Sequence, residues 1–395
     1  MWLVLALTIR RDLNVYQVLE WMIATYRWAT MMLPADLLCA GAISHARLRV
    51  GVEVFSVLFA KLAQHVSIRI RPDFHDRISV IFDGVVLNMP DTPSNNDAFS
   101  KPSSHRGAVG FPMMRVVTLM AASVRVHLDM AFAPYKGKGT GERALATQIL
   151  KRCTHKNLLF LFDAGFYSLG FLMLLEDHDY ILKVSKRVTL KPIVDSFLPD
   201  GSYLAEVGGV TIRVITVEIK GFRPFRLVTS FLDSQISALE IVQHYHRRWG
   251  IEISYDEIKT HQCATLRGQA PTILRSKRAE LIEQELYALL ISYNMTRWLM
   301  YQSSEKHEVS LLELSFLDSL QWIIDAVDKA NCHAYLSYLI SESSIDRPRR
   351  KRVNPRVIKV KMSKFKKKRP NDKGIKIDYE KITQILSYEE FEKAS

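Results

Sequence analysis

Cysteine is scarce and scattered. The 395 residues contain four, Cys39, Cys153, Cys263 and Cys332, with no C-x-x-C pair. This excludes a disulfide-stapled secreted scaffold and fits the reduced thiols of a cytoplasmic protein. His261 near Cys263, and Cys332 beside His333, lack the ligand spacing of a closed tetrahedral zinc site. Long apolar runs are missing as well. The most apolar stretch, MWLVLALTI, is too short to cross a bilayer, and its charges, Arg10 and Arg11, follow it instead of preceding it. It reads as a buried helix, and a chain that opens inside an uncapped helix implies further upstream sequence. No internal repeats occur.

Acidic residues are in deficit, 41 against 54 Lys and Arg, for a formal charge of +13. The deficit is local. Residues 347–369 hold 13 Lys or Arg and no acid, which leaves the rest of the chain near neutral. Pro348, Pro355 and Pro370 argue against a continuous helix there. Such a segment is either a counterion-releasing arm for a polyanion or a solubilising tail.

The apolar content of 48% supports a large core and two or three domains. Residues 1–75 show helical periodicity over Leu13–Met32 and Val50–His65. The period then shortens. RISVIFDG reads as a strand ending on Asp83-Gly84, Met114–Phe132 as two strands, and Gly141–Arg152 as a helix. Asn157–Asp163 is a nearly continuous apolar run suited to a central strand. Asp83 and Asp163 thus stand where polar residues line the ligand crevice of an open α/β sheet, although either alone also suits a turn. Of the 88 residues between Asp163 and Glu252, the runs 180–190, 209–219 and 223–232 show β-branched alternation, so about fifty read as an inserted set of strands. Two long helical patterns follow, Lys277–Tyr301 and Leu311–Ile340.

The run from His244 to Lys259 places Tyr245, Arg248, Glu252 and Lys259 in a Y-x2-R-x3-E-x6-K spacing. At about 100° per residue the last three fall at about 300°, 340° and 320° from Tyr245, one stripe of an α-helix. A carboxylate between two cations and a phenol can hold a metal ion through Glu252 while Arg248 and Lys259 grip phosphate oxygens. The plainer reading is a solvated helix with Arg248–Glu252 pairing. Glu257 points away from the stripe at about 120°. Asp91 and Asp97 lie in a loop after the first strand, with Asp91 a minor competitor for metal.

Together IFDGVVLNMPDTPSN, GERALA, LFLFDAGFYS and the YREK residues resemble the DDE transposases of the bacterial insertion-sequence-four family. The resemblance covers nearly the whole chain; SHARLRVG at 44–51 resembles the family's helical amino-terminal domain. It implies an α/β fold: a ribonuclease-H-like core over 76–345 with a β-rich insertion at about 180–232, a helical domain over 1–75 before it, then helices and a basic arm over 346–395. It further implies an acidic triad of Asp83, Asp163 and Glu252 holding two Mg²⁺ ions, with Mn²⁺ as substitute, and DNA contacts from Tyr245, Arg248 and Lys259. The implied partners are double-stranded DNA, as terminal inverted repeats and target, and a second copy in a synaptic dimer. The implied location is the bacterial nucleoid. A metal-dependent nuclease, or a truncated remnant that binds ends without cutting, are the alternatives. No Trp lies between Asp163 and Trp249 to stack a flipped base; Tyr203, Phe222 and Phe225 are the aromatic substitutes, though each suits core packing.

Overall fold

A computed structural model describes every residue except 26–39, 106, 109, 220–222, 266–267, 270–271, 330–332, 344–351, 354–374, 377–382 and 395. In chain order the main elements are helices α1 (Trp2–Ile9), α2 (Val15–Thr25), α3 (Ala40–Val50) and α4 (Glu53–Ser67), strand β1 (Ile78–Asn88), α5 (Pro93–Phe99), β2 (Met113–Ala121), β3 (Val126–Pro134) and α6 (Glu142–Arg152). They continue with β4 (Leu158–Phe162), α7 (Leu169–Leu174), β5 (Asp179–Val184), β6 (Pro192–Phe197), β7 (Tyr203–Val207), β8 (Val210–Ile219), β9 (Phe225–Thr229), α8 (Ala238–Tyr245) and α9 (Gly250–Asp256). The last are α10 (Ala279–His307), α11 (Phe316–Lys329), α12 (His333–Ser343), β10 (Thr383–Leu386) and α13 (Tyr388–Ala394). The chain divides into two compact units, one of residues 1–156 with 249–346 and the other of 157–248 with 347–395.

In the first unit β1, β2 and β3 form an antiparallel meander, with Asp83 opposite Thr118 and Thr118 opposite Met130. The 29-residue α10 is its spine, burying Leu281, Ile282, Leu286, Leu289, Tyr293 and Met300 among others. The amino-terminal run is the buried helix expected. Val4 to Thr8 are buried, and the Thr8 hydroxyl shares a 2.5 Å hydrogen bond with Ser292 on α10. No single helix among the described residues is long and apolar enough to cross a membrane.

In the second unit β4, five buried apolar residues, pairs in parallel with β5 through the crossover helix α7. From β5 the sheet continues antiparallel through β9, β8, β7 and β6. The carboxy-terminal β10 pairs with the half of β8 that β7 leaves free, at Thr216–Ile219. Arg213, fully buried on β8, reaches Asp200 and the carbonyls of Phe231, Asp233 and Ile236. It ties the loop before α8 to the sheet.

Four expectations need correction. β1 does not stop at Asp83-Gly84 but runs to Asn88, because Val85, Val86 and Leu87 continue the extended pattern. The strand expected over 180–190 ends at Val184, and it is the parallel neighbour of β4; β6 and β7 are further strands that the alternation did not mark. The pattern over 311–340 is two helices, α11 and α12. Finally, the run from Tyr245 to Lys259 is no single α-helix: α8 ends at Tyr245, a 3-10 turn covers His246–Trp249, α9 follows, and a π-helical turn spans Glu257–Gln262. The 100° step therefore does not hold across the motif. Cys39, Cys332, Phe222 and most of the basic arm lie outside the described residues.

Candidate active site

Asp83 is half-buried in the middle of β1, and one carboxylate oxygen accepts its neighbour Gly84's N–H at 2.8 Å. Its backbone carbonyl accepts the hydroxyl of Tyr255 on α9, also at 2.8 Å. That hydroxyl lies 2.8 Å from the Thr118 hydroxyl on β2, which lies 3.0 Å from His127 Nδ1 on β3. His127 Nε2 in turn meets the Ser254 hydroxyl of α9 at 3.2 Å. A closed polar loop thus links the strand of Asp83 to the helix of Glu252 through two neighbouring strands. Asn294 on α10 holds the His127 backbone, accepting its N–H at 2.9 Å and donating to its carbonyl at 2.8 Å. Each such bond contributes on the order of 1 kcal/mol and would cost more if left open, since every member is buried.

Glu252 stands in the first turn of α9, half-buried, while Ile251, Ser254 and Tyr255 take the buried positions. The π-helical turn adds a second anchor. Its Glu257 is 7% exposed and accepts from Tyr293 at 2.8 Å and from two Arg297 nitrogens, with Arg125 at 3.4 Å. The sequence placed Glu257 off the stripe, and its role is this buried ion cluster. Removing one partner of such a pair leaves an uncompensated charge, a cost of about 3–5 kcal/mol.

An acid that the sequence reading passed over also lies here. A Cβ on Gly84 would sit 2.6 Å from the Glu142 carboxyl carbon, so the glycine is what lets this side chain lie against β1 beside Asp83. Burial pushes the Tyr255 phenol well above its ordinary value, and the negative charges of Asp83 and Glu142 add to this. The signal in the sequence was GERALA, whose glutamate opens α6. Lys259, in the π-helical turn, is half-buried and lines a small pocket with Val85, Leu87 and Tyr255.

Asp163 belongs to the second unit, immediately after β4. The Tyr245 hydroxyl donates to the carbonyl of Phe162 at 2.9 Å, and the ring is 7% exposed. Its phenol therefore fixes the end of β4, and the ring is buried beneath it. Phe162 is level with Leu182 in the parallel ladder, so the next rung sets Lys183 beside Asp163 on the same face. Burial lowers the Lys183 pKa, with Asp163 opposing and Arg248 adding to the shift, so these three charges share one neighbourhood. Lys183 also lies over the Phe225 ring at 4.8 Å. Tyr203 is core, its hydroxyl donating to the Leu190 carbonyl. Exposed Asp91 is committed to Lys101 and Asn96. Among the described residues no three His, Cys, Asp or Glu side chains are gathered to hold a metal ion. The acids named here offer oxygen donors only, which suits a hard divalent cation.

Residues 75–295 match the family model described as transposase DDE domain. The chain is 31% identical over 299 residues to the transposase InsG for insertion sequence element IS4 of Escherichia coli (strain K12), a match covering 70% of this chain and 64% of that protein. It is 31% identical over 143 residues to the putative transposase InsZ of the same organism, covering 35% of this chain and 46% of that one. The chain therefore spans less than two thirds of these relatives' lengths. A solved piggyBac transposase synaptic complex with hairpin DNA aligns over 72% of this chain and 60% of that one, at 12% identity and a TM-score of 0.43, too loose to define shared geometry.

Burial holds His127 neutral by lowering its pKa to about 3, with Arg297 adding to the shift. The unfolded chain takes up this proton below about pH 6.5 and the folded one does not, so stability is complete above that pH and falls as pH drops toward 3. One such proton changes the folding equilibrium by at most about tenfold per pH unit. Thermal unfolding at pH 7.5 and pH 5 will show a larger drop for the wild type than for His127→Asn; equal drops would contradict a neutral His127.

Proposed function

The chain belongs to the transposase DDE-domain family, and on that premise we propose that it is a transposase that moves an insertion sequence by cutting phosphodiester bonds at the terminal inverted repeats and joining the freed ends to target DNA. The observation that carries the reading is the fixing of each aspartate's strand by a tyrosine from the YREK region, Tyr255 on the Asp83 carbonyl and Tyr245 on the carbonyl before Asp163. A site for phosphoryl transfer needs carboxylates whose positions do not relax under charge, and buried hydroxyl-to-carbonyl bonds supply that.

In this reading Asp83, Asp163 and Glu252 are the catalytic carboxylates and metal ligands. They would hold two Mg²⁺, with Mn²⁺ as substitute, which when bound activate the attacking oxygen and stabilise the leaving one. Glu142 keeps a second negative charge beside Asp83. Arg248, Lys259 and Lys183 offer cations to the DNA backbone near the cut. Tyr245 positions Asp163 through the Phe162 carbonyl. The helical segment 1–75 and the basic arm 346–395 flank the catalytic part at 76–345 and add DNA affinity, and two copies pair the two element ends. The place of action is the nucleoid.

The direct test is Mg²⁺-dependent nicking of a labelled duplex carrying the element's terminal repeat. Wild type is expected to cut at the repeat boundary. Asp83→Ala, Asp163→Ala and Glu252→Ala are expected to bind without cutting, and an active Glu252→Ala would overturn the assignment. Specific binding without cutting by the wild type would point instead to an end-binding protein.

Phosphate contacts have a separate signature in salt dependence. Arg248→Ala or Lys259→Ala is expected to lower the slope of log affinity against log salt by about one unit each. Unchanged slopes would remove these residues from the interface.

A further inference from the structure

Away from the acids, in the first unit, three arginines gather around one carboxylate, which the Arg11 guanidinium contacts directly. Glu285 of α10, buried, accepts the Arg275 N–H at 2.9 and 3.0 Å, the Ser276 N–H at 2.8 Å and the Ser276 hydroxyl at 2.7 Å. Arg11, 3% exposed, donates to it at 2.8 Å. The Arg275 guanidinium donates to the carbonyls of Leu7 at 2.6 Å, Leu13 at 3.2 Å and Arg11 at 3.4 Å. Arg47 of α3 donates to the Ser276 hydroxyl and the Leu281 carbonyl, both at 3.2 Å. Three positive groups face one negative group. The cluster lies beside an open cavity of about 280 Å³ lined by Arg47, Arg275, Ser276 and Glu285, with Leu7 and Val15 on its apolar side.

The charge is costly to keep there. Burial lowers the pKa of Arg47, and it lowers that of Arg275 to about 10 with Arg11 adding to the shift. The buried Nε donors of Arg11 and Arg47 have no hydrogen-bond partner among the described residues. Unbalanced cations on the wall of a cavity, Arg47 and Arg275, are a feature an anion would satisfy. A guanidinium fork matches two oxygens of a tetrahedral phosphate, and a cavity with one apolar wall leaves room for what that phosphate is attached to.

We propose that this cavity is a phosphate-binding pocket in which Arg47 and Arg275 donate to the phosphate oxygens. The phosphate belongs either to a DNA backbone or to a free phosphate-bearing small molecule. The proposal is independent of the cutting chemistry, since none of its residues belongs to the acidic site.

The test uses the full chain and inorganic phosphate. Thermal unfolding is followed as phosphate replaces chloride at constant ionic strength, for wild type, Arg47→Gln and Arg47→Lys. Among the described residues the Arg47 side chain makes two hydrogen bonds, and Arg47→Lys keeps the charge while losing the fork. A saturable rise in Tm specific to phosphate is expected in the wild type, weaker in Arg47→Lys and absent in Arg47→Gln. No phosphate-specific rise in the wild type, or an undiminished rise in Arg47→Gln, overturns the proposal. The source is decided by duplex DNA binding: a salt slope lower by about one unit in Arg47→Gln assigns the pocket to a backbone phosphate, and an unchanged slope assigns it to a small molecule.

Discussion

A buried tyrosine hydroxyl resting on a strand carbonyl is the interaction on which the candidate site depends, and each unit has one at its aspartate among the described residues. Tyr255 caps the carbonyl of Asp83, and Tyr245 caps that of Phe162, the residue before Asp163. A carbonyl in the interior of a sheet normally spends itself on the neighbouring strand. Here each has an extra donor, brought by the helical run that also carries Glu252. Both rings are nearly inaccessible to water, so neither bond competes with solvent. The carboxylates stay half-exposed while the backbone beneath them is fixed.

The irregular course of that helical run follows from the same constraint. A regular α-helix would present one periodic face, but this one must seat Tyr245, Ile251, Ser254, Tyr255 and Glu257 in protein while leaving Glu252 and Lys259 half-exposed. A 3-10 turn tightens the run before Glu252 and a π turn widens it after. The π turn carries Glu257 into the Arg297–Tyr293–Arg125 cluster. Such turns are found where a helix serves chemistry more than packing. Neutral His127, between Thr118 and Ser254, extends the same logic: a polar core group kept uncharged so that it can bridge two hydroxyls.

Much of this was legible in the sequence, and the rest was not for identifiable reasons. The apolar run of β4 and its terminal Asp163, the helix at Glu142–Arg152 and the buried amino-terminal helix follow from local pattern. Asp83 was recognisable, but its strand seemed to end at Gly84, because a glycine after an aspartate reads as a turn; here the glycine makes room for Glu142. The burial of Tyr245 was not legible because a constant 100° step does not hold through a run that changes helix type three times. Lys183 went unmarked because nothing local distinguishes it, and Glu142, though within GERALA, because only packing sets it beside Asp83. Their meaning comes from register and packing, which bring distant segments together.

The central proposal is that Asp83, Asp163 and Glu252 serve one metal site. Replacing Mg²⁺ with Fe²⁺ and generating radicals at the bound ion cuts the backbone wherever that ion is held. The account predicts cuts near residues 83, 163 and 252 together, all suppressed by excess Mg²⁺ and all lost in Asp163→Ala. Cuts near 83 and 252 that persist in Asp163→Ala, with none near 163, would show that the three carboxylates do not share a site.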